Sequence, residues 1–158
     1  MTLDARKAGM AITLAASMAL PAEGMLRIWY VDPVGVDTVC VGHTGDIDKH
    51  KVYTNAECMA LLSVDMADAV RTVDACVPGL PIGVLAAFSD AVFNMGGTIA
   101  CDTKKSTAAR MLKAGDLKGA CNQLPRWNHG TKLGISFELP GLTIRRARNQ
   151  EVCLKDVT

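Results

Sequence analysis

Fifteen residues without a charge, Ala8 to Ala22, follow Asp4, Arg6 and Lys7 near the start of the chain. As a helix this run spans about 22 Å, short of a hydrocarbon core of about 30 Å. Three readings stay open: a cleaved signal peptide, a weak signal anchor that later leaves the membrane, and an ordinary buried first helix. The basic start and short apolar centre suit a signal peptide, but Leu20 and Ala22 around Pro21 make a poor cleavage site. Ile28 to Val41 is then rich in β-branched and aromatic residues and is broken once, at Asp32-Pro33-Val34-Gly35. Proline supplies the fixed φ of a turn and glycine relieves its exit, so the pattern predicts a β-hairpin.

Beyond the break at Gly42 to Gly45 the period changes from strand to helix. Thr54 and Glu57 have the spacing of a capping box, which opens a long helix with Cys58, Leu62, Met66, Ala69 and Val73 on one face. Pro78-Gly79 bounds it. Leu85, Phe88, Ser89, Val92 and Phe93 predict a central core helix ending at Gly96-Gly97. Shorter helices are expected over 107–114, stopped by Gly115, and over 117–124, with Asp116 as N-cap and Pro125 as terminator. A last one runs from about Leu142 to Leu154. One small β-region followed by four or five helices makes an α+β domain.

Composition narrows the class. The chain has 158 residues, 49% hydrophobic and 21% charged, enough for one domain and unlike a disordered or polytopic membrane protein. A formal charge of +1 argues against a nucleic-acid coat. It conceals an acidic first half, with ten acids and six bases in residues 1–79, and a basic second half, with six acids and eleven bases. Such a basic half suits an anionic polymer as ligand. The six cysteines have no close ligand pairs, so disulfides in an oxidising compartment are expected and a metal is not. Cys58 and Cys76, on one helix, would be about 27 Å apart and cannot pair. Cys101 with Cys121 is expected where the short helices fold back at Gly115; Cys40 with Cys58 and Cys76 with Cys153 are offered beside it, without a geometric argument.

The candidate chemistry lies in Glu23, Asp32 nine residues on, and Thr38 six beyond that. Taken singly they are an end-of-helix acid, a turn former and a strand residue. Taken together, the stretch EGMLRIWYVDPVGVDTVCVGHTGDI resembles the phage-type lysozymes of glycoside hydrolase family 24, among them the signal-anchor-release endolysins of lambdoid phages. Tyr53-Thr54, Phe93-Asn94-Met95-Gly96, Ala114-Gly115-Asp116, Pro125-Arg126-Trp127-Asn128, Leu139-Pro140-Gly141-Leu142 and Arg145-Arg146 match later family motifs in order, so the resemblance runs from about residue 20 to the C-terminus. Asp37 stands where relatives often carry an aromatic residue, and the stretch from Cys101 to Ser106 is longer than usual.

The resemblance implies a lysozyme-like fold: a small N-terminal β-hairpin lobe and a larger helical lobe, joined by the helix starting near Thr54. It makes residues 23–158 the catalytic domain and residues 1–22 an apolar segment, a possible signal anchor or a first helix. It implies a cofactor-free muramidase that cuts the β-1,4 bond between N-acetylmuramic acid and N-acetylglucosamine in peptidoglycan and lyses the host cell. Location would be periplasmic after export, with transient inner-membrane association through residues 8–22; the enzyme is expected to be monomeric, with no nucleic-acid partner. Glu23 is the candidate acid, expected in apolar surroundings that favour its protonated form. Asp32 and Thr38 would hold the attacking water, with inversion of configuration. That role requires a three-residue loop or bulge after Asp32, because a two-residue loop puts Asp32 and Thr38 on opposite faces of the ribbon. Thr44, Phe93 and Asn94 are candidate substrate contacts. His43 is expected to pair with Asp65, Trp127 to lie in the core with its indole N–H on Asn94, and Arg145 and Arg146 to pair with acids near the cleft from a solvated helix face. The rivals are a lytic transglycosylase on the same polymer, which needs no water-positioning Asp, and a non-catalytic cell-wall-binding protein.

Overall fold

A computed structural model describes residues 3–157. Helix α1 (Ala5–Glu23) starts at Asp4, whose carboxylate accepts from the Arg6 amide, and ends at Gly24 in a positive-φ cap. Strands β1 (Leu26–Val31) and β2 (Asp37–Cys40) form the hairpin. Helix α2 (Asn55–Cys76) opens with the full capping box: Thr54 accepts from the Glu57 amide and Glu57 accepts from the Thr54 amide. Then follow α3 (Ile82–Met95), α4 (Thr98–Cys101), α5 (Thr107–Ala114), α6 (Leu117–Gln123), a 3-10 turn over Leu124–Arg126, strands β3 (His129–Lys132) and β4 (Ile135–Glu138), and α7 (Pro140–Lys155).

Helix α3 is the axis of the larger lobe. Ten consecutive residues, Gly83 to Val92, are buried, as expected of a helix apolar on every side. It packs against α1, α2 and α7. Its first turn is closed from the far end of the chain, where Asp156 accepts from the Gly83 amide at 2.6 Å. The core joins Ala11, Ala15, Met18 and Ala19 of α1 to Leu62, Met66 and Val73 of α2 and Leu85 and Phe88 of α3. A smaller cluster of Val39, Cys40, Tyr53 and Cys58 seats the hairpin on α2. The architecture is thus α+β and lysozyme-like, with α2 joining the two lobes.

The structure departs from the sequence pattern in three places. First, the β3–β4 hairpin was not expected. Its two-residue turn, Leu133-Gly134, has both residues at positive φ, and all four residues of β4 are exposed, so no alternation of burial marks it and leucine hides the turn. Second, α6 ends at Gln123, just before Pro125 as expected, but a 3-10 turn containing that proline follows it, and the four-residue α4 was too short to show periodicity. Third, the disulfides are Cys40–Cys58, Cys76–Cys101 and Cys121–Cys153. The expected Cys101–Cys121 and Cys76–Cys153 pairs are wrong. After α3 the chain turns back at Gly96-Gly97 and lays α4 on the end of α2, so close that a Cβ added at Gly97 would lie 3.6 Å from the Thr72 methyl, and Cys101 meets Cys76. Helices α5 and α6 do fold together at Gly115, but Cys121 faces α7 and Cys153.

Candidate active site

The hairpin carries one wall of a cleft. Asp32 Oδ1 accepts from the amides of Val34 and Val36, both at 2.9 Å, and the Asp32 amide donates to the Val36 carbonyl. These bonds close a three-residue loop, Pro33-Val34-Gly35, with Gly35 at φ 86°. Tyr30 pairs with Thr38 and Val31 with Asp37, so Tyr30, Asp32 and Thr38 share one face. Thr38 is buried and its hydroxyl donates to the Val36 carbonyl at 3.0 Å. With that proton engaged, the Thr38 oxygen offers its lone pairs to the cleft. Burial, then the charges of Glu23 and Asp32, push the Tyr30 phenol above its ordinary range.

The helical lobe carries the other wall. Glu23, the last residue of α1, is paired with Arg145 of α7, and the Asn94 amide nitrogen lies 3.5 Å from Glu23 Oε1. Its side chain is 29% exposed and held by a guanidinium, so the apolar surroundings expected of it are instead polar and partly wet. Between the walls, Gly42 at φ 69° brings its backbone under the carboxylate; a Cβ there would sit 3.7 Å from Glu23 Oε2 and 3.9 Å from the Phe93 ring. The cleft has a volume of about 350 Å³, and Glu23, Asp32 and Thr38 line it together with Tyr30, Thr44, Phe93 and Asn94. A second groove of similar size continues from it past Thr44 and Phe93 to Asp65, Asp68 and Thr72.

His43 Nδ1 lies 2.7 Å from Asp65 Oδ2, which ties the loop after β2 to α2. Trp127 packs half-buried against the helical core, but its expected partner is engaged elsewhere: the Asn94 carbonyl accepts from Arg146, which turns the Asn94 amino group toward Glu23. The solvated face expected for the two arginines is also wrong. Arg145 is 5% and Arg146 0% exposed, because α7 presses this face onto α3. Burial opposes the charge of Arg145, but Asp90 and Glu23 outweigh it and raise the guanidinium above its usual value. Asp90 itself escaped the sequence reading. The signal was there: it is the only ionisable residue in α3, amid apolar neighbours.

The phage lysozyme family model matches residues 21–149. The chain belongs to the phage lysozyme family. It is 44% identical over 138 residues to a SAR-endolysin of Enterobacteria phage PA-2 and 42% identical over 135 residues to that of Enterobacteria phage P21, in each case over 84% of this chain and 77% of the relative. The active form of the P1 phage endolysin Lyz superposes with a TM-score of 0.77 at 22% identity, covering 96% of this chain and 95% of that one, which shows the shared fold. In this phage lysozyme the family match begins at the end of α1, so the apolar segment lies almost entirely outside it.

Proposed function

We propose that this phage lysozyme is an endolysin that hydrolyses the β-1,4 bond between N-acetylmuramic acid and N-acetylglucosamine by single displacement, with inversion. The observation that carries the reading is the meeting of Glu23 with Asp32 and Thr38 across one cleft. Protonated Glu23 donates to the leaving glycosidic oxygen. A water between the hairpin residues donates one hydrogen bond to Asp32 Oδ2, the oxygen not engaged by the loop amides, and one to the Thr38 oxygen. Its own lone pair then points to the anomeric carbon, and Asp32 takes up the proton as the new bond forms. Tyr30 closes the floor, while Thr44, Phe93 and Asn94 are placed to contact the sugars. Digestion of purified peptidoglycan tests this. Reducing ends that appear first as the α-anomer support it; the β-anomer overturns inversion, and 1,6-anhydro ends overturn hydrolysis in favour of a transglycosylase.

The same reading extends to α1. Its charge-free run follows Arg6 and Lys7, and the relatives are named SAR-endolysins, for signal-anchor-release. No helix among the described residues is long and apolar enough to cross a membrane, so the anchor reading rests on the charge-free run and on the relatives. While Ala8 to Ala22 lies in a bilayer, Glu23 cannot face Asp32; release lets Ala11, Ala15, Met18 and Ala19 pack and delivers Glu23 to the cleft. Gly9, Thr13 and Ser17 are exposed on α1, so replacing all three with Leu raises apolarity without disturbing the released fold. Retention of this variant in the membrane fraction, with delayed lysis, supports the anchor; release and lysis at the parent's pace overturn it.

A further inference from the structure

Behind Glu23 lies a buried charge cluster. Asp90 is fully buried, and its carboxylate takes three N–H groups: Arg145 Nη2 on Oδ1 at 2.7 Å, Arg145 Nε on Oδ2 at 3.1 Å, and Asn149 Nδ2 on Oδ2 at 2.7 Å. This two-point clamp fixes the plane of the guanidinium and leaves its remaining edge, Nη1, for Glu23. Arg146, fully buried one residue along α7, donates to Asn94 from Nη2, while its Nε and Nη1 have no hydrogen-bond partner among the described residues. Burial pushes Arg146 down to about 10, Arg145 adding to the effect and Asp90 and then Glu23 opposing it, so it stays cationic at neutral pH. Two guanidiniums therefore share one buried carboxylate. The charged or titratable groups acting around Glu23 are Arg145 and Arg146 of α7, Asp90 of α3, Tyr30 of β1 and Asp32 of the loop.

We propose that Asp90 is a positioning residue for the acid step: it clamps Arg145 and offsets the charge of both arginines, so that Glu23 is aimed by one N–H without being locked as an anion. The proposal rests on Glu23 as the general acid. A general acid works only while protonated, so activity falls as pH rises through its ionisation. Removing the Asp90 charge leaves two cations uncompensated, which favours the Glu23 carboxylate. The alkaline limb of the pH–rate profile therefore moves to lower pH in Asp90→Asn, by about half a unit or more. Removing a cation does the reverse, so Arg146→Gln moves that limb to higher pH. A residue that merely fills space would scale the rate without moving either limb.

The experiment measures turnover of purified peptidoglycan from pH 4 to pH 9, each variant first shown by its melting curve to be folded. Opposite displacements in Asp90→Asn and Arg146→Gln are the expected result. Unmoved limbs, or displacement in the same direction, overturn the proposal; if Asp90→Asn does not fold, Arg146→Gln decides alone. Glu23→Gln, run alongside, separates the two failures. If it is active, the acid assignment itself is lost. If it is inactive while the folded variants keep the parent's limbs, only the role of Asp90 is lost.

Discussion

The two walls of the cleft are held in place by different kinds of interaction. On the hairpin wall, Asp32 and Thr38 are six residues apart, and a loop of three residues with its own amide bonds sets their relation. On the helical wall, Glu23, Asp90, Asn94 and Arg145 come from three helices, and their relation depends on how α1, α3 and α7 pack. The first wall is a local structure that carries its geometry with it. The second exists only when the whole lobe is folded. Chemistry on the hairpin should thus be damaged by small local changes beyond what their cost in stability explains, whereas the helical wall should lose function together with stability, Glu23 excepted.

That exception gives the largest expected effect. Glu23→Gln keeps the shape at the end of α1 and should cost roughly 10²- to 10⁴-fold in turnover with little change in melting temperature; turnover near the parent's would remove the acid from this wall. Next comes the Cys121–Cys153 bridge, which ties α6 to the helix bearing Arg145 across a separation of 32 residues. Replacing both cysteines with Ala should cost on the order of 3 to 4 kcal/mol, read from the urea midpoint, and activity should disappear at the same urea concentration as the helical signal. Activity that outlasts the helical signal would mean that the wall does not depend on the lobe.

Gly35 and Gly79 sharpen the contrast at a smaller scale. Both are at positive φ, 86° and 84°, with open space where a Cβ would go. Ala at either should cost about 1 to 2 kcal/mol of stability. Only Gly35→Ala, which disturbs the loop holding Asp32, should also lower turnover, by about tenfold; equal activity in the two variants would break the distinction. The smallest effect is expected at Asp37 on the outer face of the hairpin. Hydrogen bonds from Lys49 first, and then from the Trp29 indole, hold its carboxyl below the ordinary value of 3.8. A lowered carboxyl stabilises the fold above its unfolded pKa, and that contribution fades as pH falls through the folded value. The stability difference between the parent and Lys49→Met should therefore be slight at neutral pH and vanish once the pH has fallen through the lowered Asp37 ionisation. A difference that persists in acid would assign it to Lys49 packed over the Trp29 ring, 4.9 Å from its centroid, rather than to charge.

What could be read from the sequence follows the same division. The capping box at Thr54 and the helix stop at Gly115 each depend on residues within one turn of each other and stand where the pattern put them, while the pattern placed the turn after Asp32 and the structure chose its three-residue form. The β3–β4 hairpin is equally local but has no buried face, so it left no alternation to see. The Cys40–Cys58 bridge stands as expected and joins neighbouring elements, while the other two pairings depended on where α4 and α7 come to rest. His43 with Asp65 was anticipated as a pair. Arg146 was taken for a solvated residue because adjacent arginines on a helix look alike whether they face water or the core.

The local pattern was enough for the first hairpin and the longer helices in their order, and the motifs from residue 20 onward were enough for membership of a family. Only the tertiary structure decided that Glu23 meets Arg145, that Asp90 clamps that arginine, and that Asn94 turns its amino group to the acid rather than its carbonyl to Trp127. The physical reason is range. A turn or cap is settled by backbone dihedrals and hydrogen bonds among a few neighbours, whereas a buried charge finds its partner only after packing has excluded water and left it no other.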